Sequence, residues 1–564
     1  MDNEWPPPPP RRPRIRRSTL ITIGVVVAVV STSTVLSKVV GDAAGSFEAA
    51  PASAISAETQ PFYTQKLHWN HCDSGLLCTT VSEPLDWFRP SGPRIDVALV
   101  KHPASGTRTG SLLVDPGGPG GSGTAMIEDS VLDAVDSTIA RHFDVIGFDP
   151  RGVGASTPVT CYDSAGMDRY LYGILPGPIG SDRWIAADIA RARAYSESCA
   201  ENTGHLLAEV DSISVARDMD VIRAALGESR LNYLGYSYGS YLGTLYAGLF
   251  PTRVGRFVFD GAEDPWSGSS DDTPAGLSPF EGDEDMVDTQ SLGSGQTPDV
   301  AARPAHPDTS QAVGFENALR SFVSACTHSR RIATDGRRCA VHGTVDQGMG
   351  EIKALLGRVA AHPLRASDGR LLGDATLAVA ITGALYTTDT WPDLNDALRA
   401  AARGRADAAF SLADDYNDRD ESGRYEDQST VAGHAVDCLE YGSEFNVIEM
   451  RQAAEQFVHD APVLGIYEAY GDADCAYWPY GPSFFPTPIH APTAGPILVV
   501  GTTRDPATPY EDAVALSRQL RSAHLVTFDG DGHTAYAKGN DCVDGAVDDY
   551  LLHGALPAAD PHCS

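Results

Sequence analysis

The sequence predicts an α/β protein in which a doubly wound, mostly parallel sheet is interrupted by a large, mainly helical cap insertion. Three observations lead to this fold class. Short segments rich in β-forming residues recur along the first half of the chain, glycine-rich turns and helix-like stretches follow the later ones, and strand-like segments return near the C-terminus. Strands that alternate with helices are typical of parallel sheets with helices on both faces.

The predicted strands are short apolar segments bounded by turn residues. Those of the first half lie at residues 95–100, 111–115, 143–149, 231–234 and 256–260. A helix is predicted to begin at Ser237, directly after the strand at residues 231–234. Two further strands, at residues 496–501 and 524–528, complete the predicted sheet.

The chain between the two parts of this sheet has a different composition. Residues 266–311 are rich in Gly, Ser, Asp, Thr and Pro, which predicts an acidic disordered loop. Residues 312–490 predict a helical cap. Its helix candidates are residues 315–326, 349–361, 391–402 and 448–459. The sheet core is therefore predicted in two parts, residues 61–265 and 491–564.

The N-terminal segment, residues 1–41, has the residue pattern of an export signal. Arginines at positions 11–17 precede an apolar stretch at residues 20–30, as in a secretory signal peptide. Extended over residues 19–36, the same stretch is nearly long enough for an uncleaved membrane anchor. Both interpretations place the body outside the cytoplasmic membrane, because the arginines stay on the cytoplasmic side. We therefore expect a secreted or cell-envelope protein, with residues 42–60 as a linker.

The charge balance argues against a nucleic-acid partner. The chain carries 42 Lys and Arg against 75 Asp and Glu, a formal net charge of −33. Nucleic-acid binding needs a basic footprint, and the basic residues concentrate only in the N-terminal segment.

The ten cysteines are even in number and fall in neighbouring pairs along the chain. Zinc binding is the alternative to disulfide bonds, but the chain lacks the C-x-x-C pairs of typical zinc sites. Export favours disulfides as well, because they persist in oxidising compartments. The simplest connectivity joins neighbours in sequence: Cys72 with Cys78, Cys161 with Cys199, Cys326 with Cys339, Cys438 with Cys475, and Cys542 with Cys563. No metal site and no cofactor is predicted.

A G-x-S-x-G motif occupies residues 235–239, with Ser237 at its centre. Between a strand and a helix, this motif forms a tight turn that exposes a nucleophilic serine, and the glycines avoid clashes. Ser237 is therefore the candidate nucleophile.

A nucleophilic serine needs a base, and the base needs an orienting acid. In this architecture the chain order is serine, acid, histidine. Asp505 and His533 each follow a C-terminal strand candidate, at the sheet edge where open α/β sheets hold their sites. They are the candidate acid and base. Asp260 and Asp264 are alternative candidates for the acid.

The glycine-rich segment at residues 115–123 follows an early strand. Such a loop can present a backbone N–H to the oxyanion of an acyl-transfer reaction. Pro119 has no N–H, so Gly118 is the candidate donor from this loop. The N–H of Tyr238, directly after the nucleophile, is the second candidate.

The same loop also fits a dinucleotide-binding fingerprint. Gly118, Gly120 and Gly123 have the G-x-G-x-x-G spacing, and Asp149 ends the next predicted strand where a ribose-binding acid would lie. Pro119 within the turn and the export signal argue against this alternative, which would also leave the predicted triad without a role.

Together these motifs resemble the secreted tripeptidyl aminopeptidases of actinobacteria, which are α/β-hydrolase serine peptidases related to proline iminopeptidases. The similarity covers residues 60–564 and includes the glycine-rich loop, the G-x-S-x-G turn and the His-Ala-Val-Asp-Cys segment at residues 434–438. It implies an α/β-hydrolase fold with a triad of Ser237, Asp505 and His533. The chain departs from the family pattern at Asp115, where Asn is expected, and at Glu263, where an apolar residue is expected.

The residues alone predict a serine hydrolase of acyl compounds. The resemblance adds that the enzyme releases tripeptides or other short units from peptides with a free N-terminus. A buried ammonium group needs carboxylates around it, and Glu263 is the candidate for that role. An esterase or lipase-like enzyme with the same triad is one alternative. A catalytically inactive surface-binding protein is another, against which the complete triad argues.

Overall fold

The computed structural model describes residues 56–72, 75–265, 310–328, 338–425, 429–440, 446–481 and 488–564. The predicted signal or anchor segment lies outside these residues, as do nearly all of the predicted acidic loop and most of the linker. Among the helices of the described ranges, none is long and apolar enough to cross a membrane.

The strands in chain order are β1 (Asn70–His71), β2 (Leu77–Pro84), β3 (Arg94–His102), β4 (Gly110–Asp115), β5 (Phe143–Phe148), β6 (Leu231–Tyr236), β7 (Val254–Asp260), β8 (Leu364–Arg365), β9 (Leu371–Leu372), β10 (Ile497–Arg504), β11 (Ala523–Asp531) and β12 (His562–Cys563). The large sheet has the order β1-β2-β3-β5-β4-β6-β7-β10-β11-β12, and β8 and β9 form a separate hairpin. Pairing is antiparallel from β1 to β5 and parallel from β5 to β12. The predicted mostly parallel α/β fold is confirmed.

The helices that flank the sheet are α1 (Gln60–Tyr63), α2 (Gly123–Asp129), α3 (Val131–Ala134), α4 (Ser137–His142), α5 (Ser164–Tyr172), α6 (Asp182–Thr203), α7 (Ser212–Ala225) and α8 (Tyr238–Leu249). Between β7 and β10 the chain forms α9 (Ser310–His328), α10 (Val345–Ala361), α11 (Asp374–Leu385), α12 (Trp391–Ala401), α13 (Asp407–Tyr416), α14 (Ser429–Glu440), α15 (Val447–Asp460), α16 (Gly465–Glu468) and α17 (Asp472–Cys475). The C-terminal helices are α18 (Tyr510–Gln519) and α19 (Asp541–His553).

The central strands are buried on both faces. Every residue of β4 is buried, and so are the first six residues of β10. Near-continuous apolar runs suit such strands, because helices cover both sides of a parallel sheet. Residues of α7 and α8 pack on one face, and residues of α2, α3, α4 and α19 pack on the other.

The helices inserted between β7 and β10 do not all pack in the same place. Helices α9 to α13 surround an apolar cluster of their own. Helix α14 differs, because its apolar residues join the cluster that covers the sheet beside α8. One helix of the insertion, α14, therefore packs on the sheet core, next to the turn that carries Ser237.

All ten cysteines form disulfide bonds, and each joins its neighbour in sequence as the simplest connectivity predicts. The pairs are Cys72–Cys78, Cys161–Cys199, Cys326–Cys339, Cys438–Cys475 and Cys542–Cys563. Cys438–Cys475 joins α14 to α17.

Candidate active site

Ser237 lies at the sharp turn between β6 and α8, with a positive φ of 54°. Residues other than glycine rarely adopt this conformation, which costs about 1–3 kcal/mol. The flanking glycines make the turn possible, because a Cβ on Gly235 would lie 2.3 Å from the carbonyl oxygen of Gly239. The Ser237 N–H donates to the carbonyl oxygen of Asp260 at 2.9 Å. This bond holds the turn against the carboxyl end of β7.

A buried His–Asp pair lies at the same edge of the sheet. His533 Nδ1 is 2.8 Å from Oδ1 and 2.9 Å from Oδ2 of Asp505. Because a carboxylate only accepts hydrogen bonds, the imidazole donates from Nδ1 and keeps Nε2 as the acceptor. Nε2 is buried and has no hydrogen-bond partner within the described part of the chain. A serine hydroxyl requires such an acceptor nitrogen of its general base.

The end of β7 links the serine to the histidine. The Asp260 carbonyl oxygen accepts the Ser237 N–H, and a Cβ on the next residue, Gly261, would lie 2.9 Å from Cε1 of His533. The backbone of Ser237 and the ring of His533 therefore both lie against the same short backbone segment. The structure pairs His533 with Asp505 and places Ser237 and His533 beside the same end of β7, but the described residues show no hydrogen bond between Ser237 and His533 Nε2. The triad of Ser237, Asp505 and His533 therefore stays a prediction.

The alternative candidates for the acid bond other groups. The Asp260 carboxylate accepts backbone N–H groups from the loop after His533, at 2.8–3.0 Å. Asp264 accepts a side-chain amide of α18 at 2.8 Å. Asp505 is oriented towards His533, and its Oδ1 also accepts two backbone N–H groups of the loop that follows it, both at 3.0 Å.

A residue of the insertion covers the histidine. The His533 N–H donates to the carbonyl oxygen of Tyr386 at 2.8 Å, and the two rings meet edge to face at 5.5 Å. Tyr386 directly follows α11. The helical insertion therefore contacts the candidate site in two places: Tyr386 packs on His533, and α14 lies next to the turn that carries Ser237.

The glycine-rich loop packs directly against the turn at Ser237. Gly117 and Gly118 have φ values of +89° and +122°. A Cβ on Gly117 would lie 2.3 Å from the carbonyl oxygen of Tyr236 and 3.0 Å from the nitrogen of Tyr238. Only glycine fits this close approach. The Gly117 N–H is used within the loop, so Gly118 and Tyr238 remain the predicted oxyanion donors.

The dinucleotide alternative gains no support from this loop. The Asp149 carboxylate is buried and accepts hydrogen bonds from Ser122 Oγ, the N–H and Oγ1 of Thr124, and the Ala155 N–H. These bonds, at 2.7–3.0 Å, fix the start of α2. Asp149 is thus engaged in holding the loop rather than presented to a ribose.

Three carboxylates, Glu263, Asp437 and Glu440, form an acidic cluster beside the nucleophile turn. The Glu263 N–H donates to Ser240 Oγ at 2.8 Å, and that hydroxyl donates to the Ser237 carbonyl oxygen at 2.6 Å. Glu440 is anchored from two sides, since its oxygens accept a backbone N–H of α7 and the Tyr241 hydroxyl at 2.8 and 2.7 Å. Asp437 is buried, and its Oδ2 has no hydrogen-bond partner among the described residues.

The pKa of each member of the acidic cluster is raised, mainly by burial. Burial, with Glu440 and Asp264 nearby, raises the pKa of Glu263 to about 7. Burial, then Glu263 and Glu440, raise the pKa of Asp437 well above its usual range. Burial also raises the pKa of Glu440, although its hydrogen bonds oppose the shift. No cationic side chain of the described residues contributes to the shifts of Glu263 and Asp437.

Sequence reasoning found Glu263 and missed its two partners. Asp437 and Glu440 lie three residues apart on α14, a spacing that places them on one helix face. Asp437 lies within the segment on which the family resemblance rests, and that was the available signal. Their approach to Glu263 depends on how α14 packs, which local sequence does not show.

Within the described ranges, one group of side chains lies close enough together to hold a metal ion. Ligand atoms of His434, Cys438 and Cys475 lie within 4.8 Å of one another. The two sulfurs are joined as a disulfide and are not thiolates. Thiolates are the form of cysteine that binds metal ions, so these residues offer no ligand set in this state.

The fold and this arrangement of serine, histidine and acid define a serine hydrolase. Family models match the chain as "alpha/beta hydrolase fold" over residues 110–328 and as "TAP-like protein" over residues 461–563. Both matches agree with the predicted fold class.

Full-length relatives support the same assignment. Serine protease Hip1 of Mycobacterium tuberculosis is 33% identical over 524 residues, covering 89% of this chain and 92% of that protein. Carboxylesterase B of the same organism is 35% identical over 519 residues, covering 89% and 91%. Tripeptidyl aminopeptidase of Streptomyces coelicolor is 30% identical over 514 residues, covering 88% and 86%. The chain belongs to the tripeptidyl aminopeptidase-like family of α/β-hydrolase enzymes.

Proposed function

We propose that the protein is a serine aminopeptidase that releases tripeptides or other short units from the free N-terminus of peptides. The observation that carries this proposal is the acidic cluster beside Ser237. Relatives named serine protease and tripeptidyl aminopeptidase support the peptidase class.

In the proposed reaction, His533 accepts the Ser237 proton at Nε2 as the serine oxygen attacks the scissile carbonyl carbon. Asp505 holds the imidazole and stabilises its charged form. The N–H groups of Gly118 and Tyr238 bind the oxyanion of the tetrahedral intermediate. His533 then gives its proton to the leaving amine. A water molecule gives a proton to His533 and attacks the acyl-enzyme carbonyl, and the serine oxygen takes that proton back as the N-terminal unit leaves.

The acidic cluster is suited to the α-ammonium of the substrate. Burying an ionised carboxylate without a cationic partner costs free energy. Such a group is therefore either protonated or stabilised by a positively charged ligand. An ammonium group placed among Glu263, Asp437 and Glu440 would supply the missing charge and donate up to three charge-assisted hydrogen bonds. A neutral acyl group would leave these carboxylates uncompensated.

The test compares matched substrates. A peptide with a fluorogenic amide leaving group is offered with a free and with an acetylated N-terminus, and p-nitrophenyl acetate serves as a substrate without an amine. We expect acetylation to lower kcat/KM by roughly 10²-fold, comparable to leaving a buried charge unpaired. Equal rates on the free and acetylated peptides would refute the aminopeptidase proposal and leave the triad untouched.

Ester hydrolysis by the same triad is the second candidate function. The relative named carboxylesterase B, at 35% identity, favours it. The assay above separates the two functions, because an esterase would turn over p-nitrophenyl acetate and longer acyl esters far better than any free-amine peptide.

We also propose that the protein works outside the cytoplasmic membrane, either released or attached through its N-terminal segment. The export-signal pattern of residues 1–41 and the five disulfide bonds support this location. Cell fractionation with N-terminal sequencing of the mature protein tests it. Full-length protein in the cytoplasm with alkylatable thiols would overturn it.

A further inference from the structure

Asp115 is a buried carboxyl group where three backbone segments of the candidate active site meet. It ends β4 opposite Gly235 of β6 and is 1% exposed. Its Oδ1 accepts the N–H of Gly117 in the glycine-rich loop at 2.8 Å. A Cβ on Gly239 of α8 would lie 3.0 Å from the same oxygen. One side chain therefore contacts both the loop and the helix that begins after Ser237.

The surroundings of Asp115 do not compensate a negative charge. Burial raises the pKa of Asp115 to about 7; the Gly117 N–H opposes this shift and the Asp149 carboxylate adds to it. The other titratable groups that face it are the phenols of Tyr233 on β6 and Tyr238 on α8. Within the described residues, Asp115 Oδ2 has no hydrogen-bond partner. The carboxyl group thus changes charge near neutral pH, behind the loop that faces the nucleophile.

We propose that Asp115 is a positioning residue whose side chain holds Gly117 against the turn at Ser237, and whose ionised form weakens oxyanion binding by the loop. Two physical effects lead to this conclusion. The hydrogen bond to Gly117 fixes the backbone from which the next N–H, that of Gly118, is presented. A negative charge behind the loop opposes the negative charge that develops on the carbonyl oxygen, and burial strengthens the repulsion.

This inference rests on the proposed function only in that Ser237 reacts through an oxyanion. It does not depend on whether the natural substrate is a peptide or an ester. A fluorophosphonate probe is therefore the right reagent, because it phosphonylates the serine through the same loop and carries no amine for the acidic cluster.

The experiment measures the second-order rate constant of labelling against pH for the wild type, Asp115→Asn and Asp115→Leu, with Ser237→Ala as the blank. Asn keeps an oxygen acceptor for Gly117 and cannot ionise. We expect the wild-type rate to decline above pH 7, and the Asn variant to label about tenfold faster than the wild type near pH 9. The Leu variant loses the acceptor, and we expect it to label roughly 10²-fold more slowly at every pH.

Thermal melts show whether each variant folds. If the Leu variant does not fold, the comparison of the Asn variant with the wild type is still sufficient to test the proposal. The same alkaline decline in the Asn variant and the wild type would overturn the proposal. A folded Leu variant that labels within about threefold of the wild type would overturn it as well. If the wild type labels as expected but does not prefer free-amine peptides, the aminopeptidase proposal fails and this inference stands.

Discussion

Replacing Glu263 by Gln should remove a pH dependence that is specific to substrates with a free amine. Burial and two neighbouring carboxyl groups raise the pKa of Glu263 from its ordinary 4.5 to about 7. A raised pKa means that Glu263 is neutral below pH 7 and charged above it. The proposed ammonium ligand binds the charged form, so binding should weaken as the pH falls through 7.

The magnitude follows from the size of the shift. Between pH 5 and pH 8 the ionised fraction of a group with this pKa rises from about 1% to about 90%, which is roughly 10²-fold in total. The catalytic triad acts on every substrate, so its contribution cancels when two substrates are compared. The ratio of kcat/KM for a free-amine peptide to kcat/KM for p-nitrophenyl acetate therefore isolates the contribution of the acidic cluster.

The assay is this ratio, measured from pH 5 to pH 8 for the wild type and Glu263→Gln. We expect the wild-type ratio to rise about 10²-fold and level off above pH 7, and the ratio of the Gln variant to be low and nearly flat. A raised carboxyl pKa also lowers folding stability as the pH rises from 4.5 to 7, so the Gln variant should gain at most about 3 kcal/mol at pH 8. Parallel ratio curves for the two proteins would refute the reasoning.

Three further predictions concern the triad and α14. Ser237→Ala should lower kcat/KM at least 10³-fold on any acyl substrate, and retention of more than about a tenth of the activity would contradict its role as nucleophile. Asp505→Asn should lower kcat by about 10⁴-fold with little change in KM, because the imidazole would adopt the wrong tautomer; a loss below tenfold would assign the acid elsewhere. Replacing Cys438 and Cys475 by Ser opens a disulfide with a sequence separation of 37. Unfolding in denaturant should then show a free energy lower by about 3–4 kcal/mol, and an unchanged midpoint would contradict this.

Local patterns predicted most of the sheet and the helices of the insertion. The predicted strand at residues 111–115 is β4 within one residue, and the predicted helix at residues 391–402 is α12 within one residue. Both have strong periodicity or apolar runs with clear turn signals. Strand β2 was not predicted, because its sequence mixes Thr, Ser and Glu with few apolar residues and it lies near the antiparallel edge of the sheet.

Part of the candidate site could also be predicted from local sequence patterns, and part could not. Ser237, Asp505 and His533 follow strand ends, so their placement at one edge of the sheet could be predicted from the order of elements along the chain. The acidic cluster could not be read in this way, because its members come from the end of β7 and from a helix in the insertion. Local sequence does not determine that α14 leaves the other helices and packs on the sheet core. Helix α9 begins at Ser310, two residues before the predicted start of the cap.

Helix α14 contacts or carries the groups proposed for two functions outside the triad, which are binding of the oxyanion and binding of the substrate amine. Near its start, it abuts the glycine-rich loop: a Cβ on Gly120 would lie 2.3 Å from the carbonyl oxygen of Ser429 and 2.7 Å from the nitrogen of Gly433. Its last turn carries Asp437 and Glu440. A displacement of this helix would therefore move the carboxylates proposed to bind the amine and the loop proposed to bind the oxyanion together. For this reason, we expect perturbations of α14 to change kcat as well as KM on peptides, whereas a defect in amine binding alone would appear mainly in KM.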